Sequence, residues 1–148
     1  MFNPSRDQVR QFFFETWRKY RVQAPLTPLE RMAVQVVTAH AEYQPVLDAS
    51  EKFREQEYFP EMGQTNPFLH MSLHLSIQEQ LSIDQPPGIA AAYQALLKRH
   101  GDEHPAQHAL MDCLAETIWQ AQREKSPPDA VRYLECIQKS ALGASTDR

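Results

Sequence analysis

Apolar residues along this chain recur three and four positions apart, and no stretch alternates convincingly between apolar and polar. That spacing turns one face of an α-helix toward a core and offers no half-buried strand. The first periodic stretch ends near Arg21, with Val9, Phe13, Thr16, Trp17 and Tyr20 on one face and Phe12 and Phe14 flanking it. Asn3 or Ser5 suits its start as a cap, and Arg18, Lys19 and Arg21 suit the negative end of its dipole. Thr27, Pro28 and Glu30 then spell a capping box ahead of a second helix. Leu29, Ala33, Val36, His40, Tyr43 and Gln44 share its inner face, Pro45 ends or kinks it, and Leu47 resumes the face. Ser50 to Glu57 is expected as a short helix, followed by an irregular connector in which Glu57 and Glu61 can approach a site by loop.

Asn66 and Pro67 open the next helix, the proline having no N–H to lose there. His70, Leu73, His74, Ile77 and Leu81 lie on one side of it. Pro86, Pro87 and Gly88 make a rigid turn, Ile89 to His100 a short helix, and Gly101 its stop. Pro105 introduces a long helix from Ala106 to about Glu124. His108, Met111, Asp112, Ala115 and Trp119 are expected on its inward face, with Glu116 at the edge and His104 on the incoming cap. Ser126, Pro127, Pro128 and Asp129 start the last helix, where Tyr133, Ile137 and Ala141 can pack. The expected fold class is all-α: a single-domain helical bundle of five or six helices over residues 1–143, with 144–148 as a tail.

Composition narrows the function more than the fold. A chain of 148 residues with 42% hydrophobic and 23% charged residues is large enough to bury a core without staples. The net charge of −4, with no basic stripe, argues against nucleic acid and against an anionic membrane surface. No apolar run reaches the roughly 20 residues of a membrane span. Met1 to Asp7 lacks the features of a secretion signal, so the protein is expected in the cytoplasm. Cys113 and Cys136 show no metal spacing and are expected as separate buried thiols.

Histidines carry the candidate chemistry. His40, the His70/His74 pair and the His108/Asp112 pair are each expected on the inward face of a different helix. Borderline divalent metals take imidazole nitrogen and carboxylate oxygen, and helix bundles deliver such ligands from facing helices. An HxxxH pair places both rings on one side of a helix, one turn apart. The glutamate of a metalloprotease HExxH is absent, since Met71 stands there. No Gly-rich phosphate loop, nucleophile elbow or Cys–His nucleophile is present.

The run Asn66-Pro67-Phe68-Leu69-His70-Met71-Ser72-Leu73-His74, with Glu79 to Ile89 after it, is similar to the signature of a bacterial family known as domain of unknown function 1841. Phe2 to Arg6, the Phe12 to Lys19 run and Asp102 to Arg123 resemble it too. The resemblance covers nearly the whole chain and implies no assigned activity.

Two function classes follow. In one, iron or zinc is held by His40, His70, His74 and His108, with Asp112 and Glu116 as carboxylate ligands. In the other, the chain is a metal-free helical adaptor whose inward histidines form a structural hydrogen-bond network with Tyr43 and Gln44. A homodimer or a protein partner is compatible with either.

Overall fold

A computed structural model describes residues 6–53, 56–58 and 66–143. The caps considered at Asn3 and Ser5, the loop residue Glu61 and the tail 144–148 lie outside the described residues. Within them the chain is all-α: eight α-helices, one 3-10 turn and no strand. The count exceeds five or six because the segment after the second helix breaks into short pieces. None of these helices is long and apolar enough to cross a membrane. The chain divides into two compact units, Met1–Leu75 and Ser76–Arg148.

The first unit begins with α1 (Arg6–Arg21) and α2 (Pro28–Ala39). The capping box forms as its spacing requires. The Thr27 hydroxyl accepts from the Glu30 N–H at 3.1 Å, and the Glu30 carboxylate accepts from the Thr27 N–H at 2.8 Å. Lys19 of α1 donates to the same carboxylate at 2.9 Å, so Glu30 is buried as an ion pair. These contacts, the Thr27 N–H first, hold the Glu30 carboxyl below its ordinary range. Phe13, Phe14 and Trp17 of α1 pack against Ala33, Val36 and Val37 of α2. Each such aromatic or branched side chain contributes about 1.5–3 kcal/mol when taken fully from water. Leu29 and Tyr20, expected inward, are exposed at the rims of their helices.

The second helix does not run on to Gln44. It stops at Ala39, and a 3-10 turn at Ala41–Tyr43 leads into α3 (Gln44–Asp48), which Pro45 opens rather than closes. A proline ring clashes with the carbonyl four residues before it, so a helix cannot pass unbroken through Ala41. Leu47 does resume the buried face. The helix α4 is short (Ser50–Phe53). Arg10 is buried in this unit, its guanidinium 4.6 Å from the Phe68 ring and donating to the Phe53 carbonyl at 3.1 Å.

The helix α5 (Pro67–Ile83) starts at Asn66, whose side-chain oxygen accepts from the N–H groups of Phe68 and Leu69 at 2.9 and 3.2 Å. The unit boundary, between Leu75 and Ser76, falls inside this helix, leaving His70 and His74 on the first unit's side. Phe68 and Met71 join the first unit's core.

The second unit packs α6 (Ile89–His100), α7 (Glu103–Glu124) and α8 (Ala130–Ala141) pairwise. Asp84 accepts from the Ala90 N–H at 3.0 Å and from the Gly88 N–H at 3.3 Å, which ties the turn to the start of α6. Gly88 has φ 97° and Gly101 φ 74°, where a side chain would be strained. The last helix starts at Asp129's cap and not at Pro127, because Pro128 forces the residue before it out of the α region.

Two expectations fail in this unit. The buried face of α7 is Ala106, Leu110, Cys113, Leu114, Thr117 and Ala121, with Met111 beside it. Asp112, Ala115 and Trp119, expected inward, point outward; Trp119 is 53% exposed. Cys113 and Cys136, expected as separate thiols, are joined in a disulfide between α7 and α8, with Cα atoms 5.7 Å apart. That separation is within the ordinary range for a disulfide. The bond also explains the phase of α7, since Cys113 must face α8.

Candidate metal centre

The first unit's three histidines meet where α2 ends. His40 is the C-cap residue of α2, with φ −129° and ψ 76°. Its N–H reaches back only three residues, to the Val37 carbonyl at 3.0 Å. The Val36 carbonyl, which an unbroken helix would offer to that N–H, faces His40 Nδ1 at 2.8 Å instead. A carbonyl oxygen only accepts, so Nδ1 carries the proton and donates, and the lone pair lies on Nε2. One bond therefore satisfies a helix-end carbonyl and fixes the tautomer that leaves Nε2 able to ligate.

His70 and His74 come from α5, one turn apart. Their nearest buried neighbours along the helix are Met71 and Ile77, and His74 lies between these on the buried stripe. His74 is 2% exposed, His40 is 5% exposed, and His70 is half-buried. The ring centroids of His40 and His74 are 4.4 Å apart, those of His70 and His74 4.9 Å, and those of His40 and His70 5.4 Å. One nitrogen from each ring can be chosen so that all lie within 4.8 Å of one another. Two nitrogens bound to one tetrahedral zinc ion stand about 3.3 Å apart, from Zn–N bonds of about 2.0–2.1 Å.

Tyr43, one 3-10 turn beyond His40, completes the surroundings. Its ring stacks on His40 at 5.5 Å between centroids and lies 5.7 Å from that of His70. Burial first, and the Glu42 charge second, push its phenol above the ordinary range. Gln44 is half-buried at the start of α3, and Glu57 is exposed.

The second unit holds the other candidates. His108 is half-buried on α7 and touches His104 edge-on, with centroids 4.1 Å apart. His104 is itself exposed, in the first turn of α7 and not ahead of it. His104 and His108 thus form a second HxxxH pair, a spacing visible in the chain. Asp112 is exposed, since the helix turns its opposite side to the core. Glu116 is half-buried and accepts from Gln120 Nε2 at 3.5 Å. Among the described residues no Asp, Glu or Cys belongs to the histidine cluster.

The described residues form helices without a strand, and the first unit gathers buried and half-buried imidazoles where α2 ends. The chain is a member of the family described as domain of unknown function 1841, whose profile matches residues 5–139. No curated protein and no solved structure matches it.

Proposed function

We propose that this protein binds a transition metal ion, zinc or iron, through the imidazoles of His40, His70 and His74. The observation that carries the reading is the His40 Nδ1–H bond to the Val36 carbonyl, because it presents Nε2 as a donor toward two further buried or half-buried imidazoles. Ligand histidines commonly have the second nitrogen anchored in this way. Asp112 and Glu116 receive no place in the ligand set, the first for its exposure and the second for its bond to Gln120.

Imidazole ligation suits zinc, iron and copper, and a nitrogen-only set disfavours magnesium and calcium. An ion so held supplies Lewis-acid chemistry, or redox chemistry where the ion is iron. The second reading, a metal-free adaptor, draws on the same bond, since His40 also serves as a cap for α2. X-ray absorption on the zinc-loaded protein separates the two. A first shell of nitrogen neighbours at about 2.0–2.1 Å with imidazole outer-shell scattering is expected. A shell of six oxygens, or no bound zinc, favours the adaptor.

A further inference from the structure

We infer that α7 pairs with α7 of a second copy of this chain, antiparallel and across a two-fold axis, through a seam of Asp112, Ala115, Trp119 and Arg123. The inference is independent of the metal reading. Successive residues turn by about 100° around an α-helix, so these four positions fall within about 80° of one another. The same arithmetic sets the seam about 180° from the buried face of α7, which runs through Leu110, Thr117 and Ala121. One face of α7 is thus spent on packing within the second unit, against α6 and α8, and the seam is turned away from it. All four seam residues are exposed, and Trp119 keeps 53% of its surface open. Tryptophan and arginine are the residue types most enriched where proteins meet.

The seam is complementary to itself, which selects the occupant. Each residue advances about 1.5 Å along a helix, so an antiparallel pair has a fixed register. A two-fold axis midway between Ala115 and Trp119 sets Trp119 of each copy level with Ala115 of the other. The large side chain then meets the small one, as facing positions of packed helices require. The same axis brings Asp112 within about one residue, about 1.5 Å of rise, of level with Arg123 of the second copy. Carboxylate and guanidinium therefore face each other, and symmetry makes the pair twice. Arg123 lies over the Trp119 ring, its guanidinium 5.2 Å from the ring centre, so the cation already stands at the seam. A parallel pairing would set Asp112 against Asp112 and Arg123 against Arg123, so charge also selects the direction. A single helix pair is small for an interface, and the dimer is accordingly a weak one, with a micromolar dissociation constant.

Sedimentation equilibrium of the untagged full chain, in buffer with chelator to exclude bridging by metal, tests the pairing. Circular dichroism checks that each variant keeps its helices. Wild type is expected as a monomer–dimer equilibrium in the micromolar range, and Trp119→Ala should weaken it by about tenfold or more. Asp112→Arg alone and Arg123→Asp alone should each be monomeric, because each sets like charges against one another across the axis. An equimolar mixture of those two variants should dimerise as wild type does, since every facing pair is then of opposite charge. Wild type that stays monomeric at several hundred micromolar overturns the inference, whether the seam is bare or serves a different protein. A dimer indifferent to Trp119→Ala and to both charge reversals overturns it too, and so does a mixture of the two reversals that stays monomeric.

Discussion

Replacing His70 and His74 together with alanine removes two of the three clustered imidazoles of the first unit in one step. An ion that binds only the folded state adds RT ln(1 + [L]/Kd), about 4 kcal/mol when its free concentration is a thousandfold above Kd. For a chain of this length each kcal/mol moves Tm by about 2–4 °C, so the bound ion is worth roughly 8–16 °C. The substitutions also empty a packed position, because His74 is buried and its truncation leaves a void. Truncating a large core side chain costs about 2–5 kcal/mol. The two contributions separate by chelation. Wild type should lose roughly 8–16 °C on removal of its metal, whereas the double variant should melt at one temperature with and without chelator. The assay is a thermal melt followed by far-ultraviolet circular dichroism, on both proteins, with zinc and with chelator. A wild type whose Tm is the same in zinc and in chelator refutes the reasoning, and the histidines are then packing residues.

Substitutions at three further positions test the fold. Glu30→Ala should cost about 1–2 kcal/mol in denaturant unfolding by opening the capping box, whereas Glu30→Gln, which keeps an acceptor for the Thr27 N–H, should cost less. The Glu30 carboxyl is held low in the fold, so its contribution is present above the unfolded-state value and lost as pH falls through the folded one; wild type should lose more stability on acidification than Glu30→Gln. Cys136→Ser, compared with oxidised wild type, should lower stability by about 3 kcal/mol, given a loop closed by residues 23 apart, and the difference should vanish in reductant. Tyr133, buried and donating to Gln80 Oε1 at 2.6 Å, has its phenol pushed far above 10.0 by burial. Its folded-state value is raised, so its contribution is complete below that unfolded value and is lost as pH rises past it; Tyr133→Phe should lose less stability than wild type above about pH 10.

What could be read in the chain was what local chemistry decides. Thr27, Pro28 and Glu30 define a helix start by three adjacent positions, and Ile89 to Gly101 is bounded by a turn and a left-handed glycine. The inward placement of His40 and His74 followed from helical phase for the same reason. The break at His40 was harder, because its cause, Pro45, stands five residues downstream and a kink at several positions would answer it. The face of α7 is not legible from apolar spacing, because Met111, Ala115 and Trp119 form an apolar row of their own. The true face includes Thr117 and the small Ala106 and Ala121, which hydrophobicity alone ranks low. Asp112 moved outward with that change of phase. The disulfide had no spacing motif to announce it, since residues 113 and 136 meet only once α7 and α8 are packed.

Metal content of the protein as isolated decides between the ligand set and the packing network. The chain, produced without a histidine tag and passed through buffer freed of metals, is analysed for zinc, iron, copper, nickel and manganese against protein concentration. Close to one equivalent of zinc or iron per chain is expected in wild type, and little in the His70→Ala, His74→Ala protein. Wild type that is folded, free of bound metal as isolated, and unable to retain added zinc or iron through gel filtration contradicts it.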